Sequence, residues 1–381
     1  MKLRRYFLST FLLALCSAVQ ADILDHLKLE IAGPIKVQPK LDVLDFKDAF
    51  TPIDIPSSAY EAECGGKSST YYGTLHIDHT QQIDPTRCIR HIKQVNKTGG
   101  HFDLVAEHED FHQLGRPYLI SVEGHVIIDG DENLDEIYFP RLNHIGGNVT
   151  LDLNDVLEYV DMPKITHLNT LTVEFRPMNT DLSGLNNVTF IDWLVLNNDA
   201  QGNDFVVDIM LSGLNGVTKV RQLNINGESV YDDGSNVQND VFLTALVEVE
   251  EDLKVDGKEM IQLYGLQNLQ KVGQDLTISD SSELRNLNGL GSLSEVGGVL
   301  HLKDIVGMTS TDGIGGALVG GLIVEENPDL TDISALNNLS FSANGSAYFS
   351  ENPELPCSQI DDFENSHPGL SVGRGVDACS N

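Results

Sequence analysis

An apolar pair separated by one residue returns along this chain mostly every 22 to 24 residues, and that repeat limits the fold more than any other feature. The markers are Leu75/Ile77, Phe102/Leu104, Val126/Ile128, Val149/Leu151, Leu171/Val173, Leu194/Leu196, Leu223/Ile225, Leu253/Val255, Leu276/Ile278, Leu300/Leu302 and Leu322/Val324, with a degraded copy at Ala347/Phe349. Between markers the apolar residues step by three, as in Leu284, Leu287, Leu290, Leu293 and Val296. Alternation marks a half-buried strand, and a step of three along an extended path suits a coil that turns corners around a central core. One coil cannot bury its apolar edge alone, whereas stacked coils can. The expected fold is therefore mainly β, a solenoid of about 11 to 12 coils, on the order of 55 Å long at ~4.8 Å per rung. Asn327-Pro328 and Asn352-Pro353 fall just after strands, where a side-chain amide can bond the turn backbone.

Solenoid ends need covering. Cys64 and Cys88 lie near the first coil and Cys357 and Cys379 after the last, so the pairing expected in an oxidising compartment is Cys64 with Cys88 and Cys357 with Cys379. Neither pair has the C-x-x-C spacing of a zinc site. Lys2, Arg4 and Arg5, the apolar run from Tyr6 to Leu15 and the small-residue exit at Ala21 read as a secretory signal peptide. The expected organisation is a signal peptide over 1–21, an extended leader or N-terminal cap over 22–63, the solenoid over 64–356 and a disulfide cap over 357–381. No window is long and apolar enough to span a bilayer. The mature chain is expected outside the cytoplasm: secreted, at the cell surface or in the periplasm.

Cys64 followed by Gly73-Thr74-Leu75-His76-Ile77, and the run from Asn133 to Leu151 with its Pro-x-Leu-x-x-Ile-Gly-Gly-x-Val-x-Leu, resemble the receptor L domain. That family is a leucine-rich-repeat-like, right-handed β-helix of receptor ectodomains and of secreted or wall-anchored microbial proteins. The resemblance covers about residues 64 to 357 and rests on the repeated pattern, since any single copy is weak. It implies an extracellular binding module without catalysis. No kinase, cysteine-rich furin-like region or transmembrane segment accompanies it, so receptor signalling does not carry over.

The chain carries a formal net charge of −33, and loss of the first 21 residues leaves 21 basic against 57 acidic residues, or −36. Nucleic acid and anionic membranes are therefore poor partners. His108-Glu109-Asp110-Phe111-His112 matches the H-E-x-x-H zinc motif, but the repeat register aligns Leu114 with Ile137, Pro117 with Pro140 and Val122 with Ile145, leaving no room for the helix the motif needs. Asp129, Asp131, Asn133 and Asp135 imitate the alternating oxygens of a calcium loop, but Leu134 occupies the glycine position and Pro140 the terminal glutamate position. No cofactor or metal is expected, with a looser calcium contact left open. Thr150 and Thr172 are the only neighbouring threonines in the outward strand row, too few for an ice-binding ladder. Sequons stand at Asn96, Asn148, Asn187, Asn338 and Asn344.

The interval from Leu194 to Leu223 is 29 residues and that from Leu223 to Leu253 is 30, so two successive coils carry insertions directly after the strand. Insertions at one position of neighbouring coils emerge side by side and often form a binding edge. The candidate ligand-binding residues there are Asp199, Asn203, Asp204, Tyr231, Asp232, Asp233 and Asn236; no catalytic residue is assigned. The expected function is non-catalytic recognition of an extracellular protein or glycan, in adhesion or envelope interaction. The alternatives are a polysaccharide-active β-helix enzyme, which would need carboxylate and basic groups on the outward strands, and a structural spacer or matrix protein. Ligand identity and oligomeric state stay open.

Overall fold

In a computed structural model of the protein, the described residues are 64–65, 69–72, 75–77, 88–93, 104–107, 113–129, 136–152, 159–175, 181–198, 212–227, 243–257, 262–263 and 265–380. The expected signal peptide and leader lie outside them. Among the described residues the fold is mainly β and forms a parallel β-solenoid of about nine turns.

The principal ladder runs through β1 (Leu75–Ile77), β2 (Leu104–Glu107), β3 (Val126–Asp129), β4 (Val149–Asp152), β5 (His167–Phe175), β6 (Phe190–Asn198) and β7 (Lys219–Gly227). It continues through β8 (Leu253–Asp256), β9 (Leu276–Ser281), β10 (Glu295–Ile305), β11 (Leu318–Glu325), β12 (Ser346–Ser350) and β13 (Ser371–Arg374). Marker pairs with marker in parallel: Val126 with Val149, Leu171 with Leu194, Leu223 with Leu253, Leu300 with Leu322, Leu322 with Ala347. One marker needs correction. Leu75 pairs with Leu104 and Ile77 with Ala106, so the second rung is Leu104/Ala106 rather than Phe102/Leu104. A slip of two residues keeps every apolar side chain on the same face, so periodicity alone cannot detect it.

Marker counting gave 11 to 12 coils against about nine turns found. A rung is not yet a turn: β1 and β2 have three and four residues, and β13 is reached through helix α1 (Cys357–Ser366) in place of a period-three arm.

Short strands build the other sides of the early coils. One side stacks Thr70–Tyr72, His91–Lys93, Ser121–Val122 and His144–Ile145; another stacks Gln113–Gly115, Glu136–Tyr138, Tyr159–Asp161, Asp181–Gly184 and Ser212–Gly213. The corner before the marker decides whether strands merge. Where two residues separate the inward side chains, as from Ile191 to Leu194, the strand runs unbroken for nine residues in β5, β6 and β7. Where three separate them, the strand breaks, as between Val272 and Leu276, or runs on through a register shift, as between Val296 and Leu300 within β10, and side chains cap the corner. Asp252 Oδ1 accepts the Asp275 N–H at 3.1 Å, and Asp275 Oδ1 accepts the Val299 N–H at 2.7 Å. Gly297 sits where a Cβ would lie 2.1 Å from the carbonyl oxygen of Gly273, so stacked backbones exclude any side chain there.

Inward residues form one continuous core. The markers from Val126 to Leu322 are buried, apart from the partly buried Ile225 that packs against them, and so are the period-three residues Leu284, Leu287, Leu290, Leu293 and Val296. Fully burying each such side chain is worth roughly 1.5–3 kcal/mol. The amide of Asn327 donates to the carbonyls of Leu302 and Glu325, while its oxygen accepts the N–H of Ile305 at 3.0 Å. The expected role of Asn-Pro at this turn is thus realised.

Both disulfides form as expected, Cys64–Cys88 and Cys357–Cys379. In the C-terminal cap, Ile360 and Phe363 of α1 are buried, and Phe363 meets Phe349 edge-on with ring centres 5.4 Å apart. Arg374 of β13 reaches back to Asp361 and Glu364, both at 2.7 Å.

Candidate binding face

The two insertions leave the sheet from β6 and β7. These strands pair residue for residue to their ends, Asn197 with Asn226 and Asn198 with Gly227. Both loops therefore start from neighbouring rungs at one register. The candidates Asp199, Asn203, Asp204, Tyr231, Asp232, Asp233 and Asn236 all lie outside the described residues.

The described face between these loop bases and the preceding corner is legible side chain by side chain. Leu194 and Leu196 point inward, leaving Trp193, Val195 and Asn197 outward on β6; one rung on, Gln222, Asn224 and Asn226 take the matching places on β7. Thr170 and Thr172 of β5 precede them, opposite Trp193 and Val195. None of these eight residues is ionisable. Asn226 Nδ2 donates to Asn197 Oδ1 at 2.9 Å, fixing two amides in a ladder across the rungs. Trp193, the single tryptophan of the chain, is 45% exposed.

Charge begins at the borders. On the far side of the corner Asp192 holds Arg221 at 2.7 Å and faces His167 at 3.7 Å, while Lys219 contacts Glu250 at 2.7 Å and Glu248 at 3.1 Å. The hydrogen bonds from these two glutamates hold the Lys219 ammonium above its usual range, and the bond from Lys219 holds the Glu250 carboxyl below its own. On the next rung Lys254 pairs with Asp256 at 2.8 Å. Glu174 of β5 is the register partner of Asn197. Alternation within the markers Leu194/Leu196 and Leu223/Ile225 puts Val195 and Asn224 on the outward row but gives no place to Trp193, which stands outward because the two-residue corner turns both Asp192 and Trp193 away from the core. The signal available was the spacing of three from Ile191 to Leu194, shared with Leu168 to Leu171 and Val220 to Leu223, against four from Val249 to Leu253 and Val272 to Leu276.

A second cluster lies on the side formed by the strands Glu136–Tyr138 and Tyr159–Asp161. Asp161 is buried, and burial pushes its carboxyl up to about 6. Burial, then the neighbouring charges of Asp161 and Asp181, push the Tyr159 phenol up to about 12. Among the described residues no group of three His, Cys, Asp or Glu is placed to hold a metal ion. Of the H-E-x-x-H stretch, His108, Glu109 and His112 lie outside the described residues, but the flanking register is as aligned: Leu114 pairs with Ile137 and Val122 with Ile145. Asp129 pairs with Asp152, and Asp131, Asn133 and Asp135 lie outside the described residues. Among the described residues no helix is long and apolar enough to cross a membrane.

No family model matches this chain, and no significant match exists among curated proteins or solved structures. What stands is the β-solenoid itself, compatible with a β-helix.

Proposed function

We propose that this protein is an exported, non-catalytic β-solenoid that recognises a protein or glycan ligand outside the cytoplasm, in adhesion or envelope interaction. The observation that carries this reading is the common origin of two long insertions at neighbouring rungs, Asn198 beside Gly227. Surface loops on a rigid scaffold are where solenoids place recognition. Two disulfides are compatible with an oxidising compartment, and the basic, then apolar, start of the chain supports export. The Ile-Gly-Gly-x-Val-x-Leu of residues 145–151 and its looser copy Val-Gly-Gly-x-Leu-x-Leu at 296–302 support kinship with the receptor L domain.

The test shortens residues 199–208 and 228–240 to tight turns and compares parent and variant, both oxidised and mature, on arrays of glycans and extracellular proteins. The reading expects the variant to keep its cooperative unfolding and lose binding. A parent that binds nothing on either array sinks it and favours a structural spacer.

A further inference from the structure

We infer that the outward face of β5, β6 and β7 is a platform for an uncharged glycan chain, with Trp193 as its stacking residue. The inference rests on the binding-module reading and names the ligand class. In a chain with 57 acidic and 24 basic residues, the outward positions of β6 and β7 carry no charge, although ion pairs crowd both borders. A ligand seated on β6 and β7 meets neutral side chains, with Lys254 reached only on the next rung beside Asn224, and the surrounding negative field repels an anionic polymer. Charge complementarity therefore selects a neutral partner.

Amides and hydroxyls decide which neutral partner. Gln222, Asn224, Asn226, Asn197 and Thr172 offer both donors and acceptors on a flat parallel sheet with rungs ~4.8 Å apart, close to the length of one sugar ring. Trp193 supplies an exposed aromatic plane for the apolar face of such a ring and an N–H for one of its hydroxyls. A protein partner would ask for an apolar interface centre, and Trp193 and Val195 are the only apolar side chains of the eight. The strands that lead into the insertions end beside one another at the opposite edge of the same two rungs, Asn198 with Gly227.

Because Trp193 is the only tryptophan, intrinsic emission of the full mature protein reports this site directly. The probes are neutral oligosaccharides and polymers (maltoheptaose, cellohexaose, mannohexaose, dextran, galactomannan) and two polyuronates, alginate and polygalacturonate. The expected result is a saturable blue shift with at least one neutral probe and none with the polyuronates. Trp193→Ala then weakens binding of that probe, read by calorimetry, at least about tenfold, the loss typical of truncating a central aromatic anchor. Asn224→Ala weakens it several-fold, and both variants keep the parent melting temperature because these side chains lie outside the core. No emission change with any neutral probe overturns the inference. So does glycan or protein binding that Trp193→Ala leaves intact, an outcome that keeps the binding-module reading standing.

Discussion

Asn352 Oδ1 accepts the main-chain N–H of Asn327 at 3.3 Å, and both asparagines are fully buried one coil apart. Each amide also satisfies carbonyls of the strand below it and of its own turn: Leu302 and Glu325 for Asn327, Val324 and Ser350 for Asn352. A solenoid corner exposes backbone groups to the core unless a side chain meets them. Here two side chains meet them in series.

Asn327→Ala leaves the Ile305 N–H and the Leu302 carbonyl without their partner. Each orphaned buried group costs about 1–3 kcal/mol. Urea unfolding followed by circular dichroism is expected to show a loss of at least about 2 kcal/mol, with Asn327→Asp at least as damaging, because a buried carboxylate would face the Leu302 and Glu325 carbonyls and Asn352 Oδ1. A midpoint within error of the parent for Asn327→Ala would remove the stacked amides from the account of stability.

Asp161 gives the fold a pH dependence whose sign follows from its burial. A folded carboxyl at about 6, against an ordinary 3.8, binds its proton more tightly than the unfolded chain does. Its stabilising contribution is complete below about pH 4 and is lost as pH rises through about 6, amounting to about 1–3 kcal/mol after allowance for residual solvent. Asp161→Asn is expected to stabilise the protein at pH 8 and change little at pH 4. The measurement is the difference in unfolding free energy between variant and parent across that range, which cancels the other carboxylates.

Two glycines six residues apart in one coil should respond oppositely to the same substitution. At Gly297 a Cβ would meet the Gly273 carbonyl oxygen at 2.1 Å, whereas at Gly291 its nearest neighbour is 3.7 Å away. Gly297→Ala must push two stacked corners apart and is expected to lower the melting temperature by several degrees. Gly291→Ala should leave it unchanged or raise it slightly, since alanine restricts the unfolded chain. Equal effects at the two sites would show that corner crowding is relieved without cost.

The Cys357–Cys379 bridge closes a separation of 22 residues across α1 and β13. Replacing both cysteines by serine is expected to cost about 2–4 kcal/mol and to expose the cap first. Limited proteolysis should then cut between α1 and β13 before any central coil, with the parent protected. Simultaneous cleavage throughout the solenoid would mean the cap unfolds only with the whole.

The order of the rungs was legible in the chain because two periods agree. Leu276/Ile278 and Leu300/Leu302 alternate as strands, and Leu284 to Val296 step by three as arms; all are buried where the pattern puts them. Both disulfides followed from proximity in sequence within caps. The Phe102 marker failed because a two-residue slip preserves alternation. The insertion candidates lie outside the described residues, though their bases are neighbours as the spacing implied.

The chain by itself determined that this protein stacks coils, which residues face inward and where the ends are stapled, since those properties depend on local period and on contacts one repeat away. Only the tertiary structure decided what the surface presents. Trp193 is outward because its coil has one residue fewer at the corner, and it lies beside Gln222 and Thr170 because residues 23 and 29 positions away are brought within one rung by parallel pairing. Charge neutrality of a patch is a property of such cross-rung neighbours, and no linear window of the sequence contains them.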